Sequence, residues 1–282
     1  MHTPHAWFNS GVPVQRDFDV LSAMLSNAGF VAADDEAREL LACAGGDGAV
    51  LQSLLGRRLT GEPLAWITGS VRFCGVEIQI RPGVYVPRWH SEPLVRRAVE
   101  RLPAGGTAID LCTGSGAIAR ALAAYRPGTR VVASDIDEQA VACATANGVE
   151  AYHGDLSSPL PRALEGCVDL VAAVVPYVPT PALPLLQRDT FTFESPLHYD
   201  GGWDGTDILR RVLSDSTRFL RGGGALLVEL GGDQADALTG DLDRLGYTGI
   251  TALADDEGDV RGIEATLPCP IPIELRSSAE NL

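Results

Sequence analysis

An α/β fold built on a mostly parallel, Rossmann-like sheet is what this sequence predicts, and three observations predict it. From Thr107 onward, short apolar runs alternate with longer segments of helical spacing, the pattern of repeated strand–helix units. The stretch Thr107–Ala124, TAIDLCTGSGAIARALAA, reads as a buried strand, a glycine turn and a helix opening directly behind it. The last two apolar runs, 249–254 and 261–267, flank the acidic tip DDEGD and read as an antiparallel hairpin, which reverses one strand of the sheet.

The N-terminal part reads as helical. Asp17 to Ala28 carries Phe18, Leu21, Met24 and Leu25 at helical spacing and stops at Gly29. Asp34 or Asp35 is expected to cap a second helix, Glu36 to Ala44, and Ala49 to Leu59 gives a third. A small helical cap of this kind can wall a substrate cleft, although packing of the helices on one another explains the apolar stripes by itself. Val76, Ile78 and Ile80 alternate with polar residues between Gly75 and Pro82-Gly83, the signature of a linking β-hairpin. A helix follows from about Ser91, its expected cap, to Leu102, with Pro93 tolerated in the first turn. The expected division is a helical cap over 1–70, a hairpin linker over 71–90, a ligand-binding domain over 91–268 and a loose tail over 269–282.

Beyond the central turn, RVVAS is the second strand, and DEQAVACATANG is its helix, with Asp137 at the cap and Gly148 at the stop. Glu150–His153 is a short third strand and VDLVAA, residues 168–173, a central strand apolar on both faces. The loop VVPYVPTPALP carries four prolines, so neither strand nor helix is expected until well past Pro184. A helix over Thr206–Leu220, the strand GALLVEL and a helix over Asp233–Leu245 lead into the final hairpin.

With 22 Lys and Arg against 37 Asp and Glu, the formal net charge of -15 argues against a nucleic-acid substrate. The pairs Arg57-Arg58 and Arg96-Arg97 read as solvated helix faces. Six cysteines form no C-x-x-C pair and five histidines no paired-ligand spacing, so neither a disulfide framework nor a metal site is indicated. No run approaches the roughly 18 apolar residues of a membrane helix. The start MHTPHAWFNSGVPVQRD lacks a basic leader and an apolar core, and the expectation is a cytoplasmic protein.

A strand, a tight glycine turn and a helix N-terminus hold nucleotide-like ligands at the carboxyl ends of the strands. Gly114-x-Gly116-x-x-Ala119 suits both a dinucleotide and S-adenosylmethionine, and Asp135, 19 residues after Gly116, can accept from the ribose hydroxyls of either. Asp110 is expected to separate them, because a carboxylate at the turn repels a pyrophosphate but attracts an ammonium and a sulfonium. Asp155 can accept from an adenine amine with Leu156 over the ring, or can cap a turn before Pro159, and both readings stay open. The stiff loop after Ala173 is where the chemistry is expected. Arg88, Trp89, His90 and Glu92 are further ligand candidates, though each is a common type of surface residue.

The blocks RRLTGEPLAWITG, GVYVPRWHSEPLV, DLCTGSGAIA, PYVP, YDGGWDGTDILRRV and GGALLVELGGDQAD stand in one order between about Arg58 and Ala265. In that ordered set the chain resembles the HemK-type protein-(glutamine N(5)) methyltransferases, which modify a glutamine of peptide-chain release factors. The resemblance implies a class I S-adenosylmethionine-dependent methyltransferase fold, with seven strands, one of them reversed, behind a helical N-terminal domain and a linking hairpin. It implies S-adenosylmethionine held by Asp110, Cys112, Thr113, Gly114, Ser115, Gly116, Asp135, Ile136, Asp155, Leu156 and Val174, and an acceptor met by Val174, Val175, Pro176 and Tyr177.

The chain departs from the family pattern at three places. Val174-Val175-Pro176-Tyr177 stands where the family carries Asn-Pro-Pro-Tyr, and by resemblance the missing Asn would bond the amide to be methylated. Cys112 replaces the first glycine of the turn, which ordinary backbone angles would tolerate. Trp89-His90 replace a proline and an acid. The valine leaves other readings open beside a release-factor substrate: a small-molecule acceptor, with His90 or His198 as general base, or binding of the donor without catalysis. A dinucleotide oxidoreductase is the fourth.

Overall fold

The structure is a computed structural model and describes residues 14–186, 190–255 and 257–269. The chain divides into two compact units, one containing residues up to 71 together with Ile80–Pro82, the other Arg72–Gln79 together with the chain from Gly83.

In the first unit, α1 (Val14–Asn27), α2 (Ala33–Ala44), α3 (Gly48–Leu59) and α4 (Leu64–Thr68) enclose Leu21, Leu25, Leu40, Leu51, Leu55 and Ile67. Asp47 caps α3, accepting from the backbone N–H of Ala49 at 2.8 Å and of Val50 at 3.1 Å. Asp34 and Asp35 do not cap α2. Both lie inside its first turn, where acids suit the positive helix end, and the N-cap is Ala32. Arg58 is not solvated either: its guanidinium forks onto Glu36 at 2.6 and 2.9 Å and lies 3.8 Å over the Phe30 ring. Arg57 pairs with Glu62.

The hairpin consists of β1 (Ser70–Phe73) and β2 (Val76–Gln79), joined through Cys74 and Gly75 with φ of +48° and +73°. Positive φ at both turn residues matches the right-handed strand twist.

The second unit contains α5 (Glu92–Arg101), β3 (Thr107–Leu111), α6 (Ala117–Tyr125), β4 (Arg130–Asp135), α7 (Glu138–Ala146), β5 (Glu150–His153), β6 (Val168–Ala173), α8 (Thr190–Phe193), α9 (Asp207–Phe219), β7 (Leu220–Glu229), α10 (Gln234–Arg244), β8 (Thr248–Ala254) and β9 (Val260–Thr266). The strand order is β5-β4-β3-β6-β7-β9-β8, and β9 runs antiparallel to both its neighbours while the other pairings are parallel. This is the class I methyltransferase arrangement, with the reversed strand supplied by the terminal hairpin. Ile109, Val171, Leu226, Val228, Leu213 and Leu238 form its core with other apolar side chains of the central strands, α9 and α10.

Strand succession runs outward from β3 through β4 to β5 and then returns to β6 on the other side of β3. Ligands of open α/β sheets bind in the crevice at such a reversal, outside the carboxyl ends of the strands. Here those ends are residues 112–116 and 174–177.

Two local expectations need correction. Ser91 makes no capping bond to α5; it is buried, with its hydroxyl beside Glu229. The proline-rich segment does turn into a helix early, as a 3₁₀ helix over Thr180–Leu185, because proline is compatible with a first helical turn. The expected loose tail lies outside the described residues from 270 on. Among the described residues no helix is long and apolar enough to cross a membrane.

Candidate active site

The turn after β3 is built from underneath. Asp110 is fully buried, and its Oδ2 accepts from the Thr113 hydroxyl at 2.6 Å and from the backbone N–H of Ala119 at 3.1 Å. It thereby joins strand, turn and the first turn of α6, taking up one of the otherwise unpaired amides of that helix. Its other oxygen has no hydrogen-bond partner among the described residues. Burial pushes its pKa up to about 7, against the pull of the Thr113 and Ala119 bonds. Asp110 is not among the residues that line the cavity; through these bonds it shapes the turn that does.

Cys112 stands on the cavity side of this turn with φ +57°. Ordinary backbone angles were the condition for tolerating a side chain here, and they are not met. A residue with a Cβ in the left-handed region bears about 1–2 kcal/mol of strain. Cys112→Gly is accordingly expected to raise the melting temperature by roughly 2–4 °C, about 1 kcal/mol in a chain of this size; a lower melting temperature would show that packing of the thiol outweighs the strain. Gly116, at φ +81°, has no such latitude, since a Cβ would lie 2.8 Å from Val149 Cγ2 and 3.1 Å from Ala144 Cβ. Thr113, Ser115 and Gly116 support the turn without lining the cavity, whereas Cys112 and Gly114 line it.

Asp135 closes β4 beside them. Its Oδ2 accepts from Gly114 N–H at 2.8 Å and its Oδ1 from Asp137 N–H at 3.0 Å, which fixes the carboxylate and leaves each oxygen further acceptor capacity. Burial raises its pKa, with these two amide bonds opposing. Ile136 follows, half-exposed on the same wall. Asp155 and Leu156 are not brought to this cavity. Asp155 is paired with Arg211 at 2.5 Å, and Leu156 is buried in the core at φ +45°.

The loop after β6 forms the opposite wall through Val174, Val175, Pro176 and Tyr177. It is anchored by backbone bonds from Val178 N–H to Tyr199 O and from Gly201 N–H to Val178 O, both 2.9 Å, and by Gln234 Nε2 donating to Tyr177 O at 2.7 Å. Gly205 must be glycine, because a Cβ there would fall 2.2 Å from Tyr177 O and 2.4 Å from Gln234 Nε2. The Tyr177 and Ser91 hydroxyls stand beside the buried Glu229 at the end of β7, whose Oε2 has no hydrogen-bond partner among the described residues. Burial, then the Glu229 charge, push the Tyr177 pKa up, so the phenol stays protonated.

Gly205, Glu229 and Gln234 lie in blocks the sequence makes recognisable, but it assigns them no role. A polar residue at the end of an apolar strand and glycines in close succession were the available signals.

At the rim, Arg88 Nη2 donates to both Glu194 oxygens at 2.9 and 3.1 Å and to the Tyr199 hydroxyl at 3.3 Å. Burial is the largest influence and opposes the Arg88 charge, but Glu194, Tyr85 and Tyr199 together outweigh it and hold the pKa above the ordinary value. His90 and His198 line the cavity too, while Trp89 is exposed and stacks on His90, and Glu92 accepts from Cys74 N–H.

The cavity enclosed by these walls measures about 490 Å³, within the range of small-molecule and cofactor sites. One wall offers an immobilised carboxylate beside a glycine with no side chain, the other a stiff, largely apolar loop. That donor set fits S-adenosylmethionine: Asp135 can accept from a ribose diol, and Gly114 admits the ligand to the backbone.

Residues 90–158 match the family described as Methyltransferase small domain. The chain is 34% identical over 226 residues to the release factor glutamine methyltransferase of Geobacter sulfurreducens, an alignment covering 78% of this chain and 76% of that one. It is also 34% identical over 229 residues to the release factor glutamine methyltransferase of Mycolicibacterium smegmatis, covering 77% and 79%. A crystal structure of the release-factor-specific protein-(glutamine-N5) methyltransferase of Alicyclobacillus acidocaldarius aligns with 25% identity over 68% of this chain and 100% of its own, at a TM-score of 0.42.

Proposed function

The chain belongs to the release factor glutamine methyltransferase family of S-adenosylmethionine-dependent enzymes, and from this premise we propose that its own acceptor is a glutamine side-chain amide of a peptide-chain release factor, met in the cytoplasm. The observation that carries this reading is that the Asp135–Gly114 edge and the Val174–Tyr177 loop open on one cavity at the reversal of strand order. In it, residues 91–268 form the donor-binding domain.

When bound, S-adenosylmethionine supplies an electrophilic methyl group on a sulfonium sulfur. Asp135 and the backbone at Cys112 and Gly114 hold the donor, with Ile136 against its apolar surface. The 174–177 loop receives the acceptor. An amide nitrogen is a weak nucleophile, because its lone pair is delocalised into the carbonyl, and its orientation governs the rate. The backbone carbonyls of Val174 and Val175 can accept the amide hydrogens, while the Val174 side chain can accept none. Pro176 stiffens the loop, and its anchorage through Gln234 and the backbone of Tyr199 and Gly201 keeps those carbonyls in place.

Incubation of the purified protein with a release factor and methyl-labelled donor tests the reading. Label in the release factor is expected, with loss of it when the acceptor glutamine is replaced by Glu. Label incorporated equally into both forms, or into neither, contradicts it.

A further inference from the structure

One polar side chain on the cavity wall has no partner yet. His198 ends the single-turn helix Pro196–His198, where its backbone N–H is bonded to Ser195 O at 3.0 Å and the Ser195 hydroxyl accepts from Leu197 N–H at 3.2 Å. Its ring stands edge-on to Tyr85, with centroids 5.8 Å apart, and 6.5 Å from the ring of Tyr199. Tyr85 and Tyr199 are themselves 5.9 Å apart, so the three rings form one cluster.

The two nitrogens of that ring differ. Nδ1 is buried and has no hydrogen-bond partner among the described residues. An orphaned buried N–H is costlier than an orphaned lone pair, so the single proton of the neutral ring belongs on Nε2, the nitrogen left for the cavity. Burial lowers the His198 pKa and keeps the ring neutral. His198 and Asp135 line the same cavity and lie within electrostatic range of each other.

A ribose hydroxyl that donates its only proton to Asp135 still has lone pairs to satisfy. The backbone amides of Gly114 and Asp137 are already bonded to Asp135 itself. Of the other lining residues, Ile136, Ala140 and Leu197 offer no side-chain donor, and Arg88 and Tyr199 are engaged with Glu194. We propose that His198 is a further donor-binding residue, presenting Nε2–H to the ribose hydroxyls of S-adenosylmethionine across from the Asp135 carboxylate. The assignment rests on the reading of this cavity as the S-adenosylmethionine site.

The test is calorimetric titration of S-adenosylhomocysteine, and of its 2′-deoxy and 3′-deoxy ribose analogues, into the wild-type protein, His198→Ala and His198→Gln. One lost hydrogen bond predicts a Kd about threefold to tenfold higher for His198→Ala. His198→Gln, which keeps a side-chain N–H donor, is expected to recover part of the loss. Removal of the relevant ribose hydroxyl is expected to weaken binding less in His198→Ala than in the wild type, since the partner is already gone. Equal affinities for wild type and His198→Ala, or equal penalties for the deoxy analogues in both, overturn the inference alone. Failure of the wild-type protein to bind S-adenosylhomocysteine overturns the site assignment and the inference with it.

Discussion

Asp135→Ala is expected to weaken S-adenosylmethionine binding about 100-fold. The carboxylate has acceptor capacity left on both oxygens, and a hydrogen bond to a charged group contributes about 1.5–3 kcal/mol. Loss of two hydroxyl contacts, allowing for water that enters in place of the side chain, leaves roughly 2.7 kcal/mol, the equivalent of 100-fold. The same carboxylate holds Gly114 N–H and Asp137 N–H, so its removal also loosens the turn the donor approaches. Asp135→Asn keeps one acceptor atom and is expected to fall between wild type and Asp135→Ala. Burial raises the Asp135 pKa, and protonation removes acceptor strength; the wild-type affinity is therefore expected to decline on acidification through that raised pKa, and the Ala variant to lack this component. Calorimetry on the three proteins checks the series, and a change of less than threefold in Asp135→Ala contradicts the assignment.

Val174→Asn is expected to raise kcat/KM for release-factor methylation by about 10- to 100-fold. Val174 is half-buried and lines the cavity at the start of the anchored loop. Asn at that position introduces a side-chain oxygen that can accept an amide hydrogen of the acceptor. One hydrogen bond alone contributes about 0.5–1.5 kcal/mol. The larger part of the gain comes from aiming the nitrogen, because misplacement of a nucleophile by about 1 Å can cost on the order of 100-fold. The gain is expected in kcat more than in KM, since orientation acts on the reacting complex. Steady-state kinetics with a release factor measures it, and unchanged kinetics in Val174→Asn would show that position 174 does not limit amide transfer.

The sheet was legible because its signals are local. VDLVAA can be little other than a strand buried on both faces, and DLCTGSGAIA announces strand, turn and helix within ten residues. The reversed β9 was legible from the acidic tip between two apolar runs. Side-chain direction was not. Asp110 has the residue type of a ligand contact, but its place at the end of a fully buried strand turns it toward Thr113 and Ala119. Cys112 looked tolerable because the backbone angle of a non-glycine residue in a glycine turn is invisible in the sequence. Asp155 pairs with Arg211 and the Tyr177 carbonyl with Gln234, partners more than fifty residues apart that only the sheet brings together. Glycine at 205 was noticed as part of a motif, while its cause, the backbone of Tyr177 against it, is tertiary.

The central claim is that this cavity delivers a methyl group to an amide nitrogen, and fragmentation mass spectrometry of a release factor treated with the wild-type protein and S-adenosylmethionine tests it most directly. The account predicts one added methyl, located on the side-chain nitrogen of a single glutamine. A methyl on an oxygen, a sulfur or another residue, or an unmodified release factor beside a protein that methylates a small molecule, would contradict it.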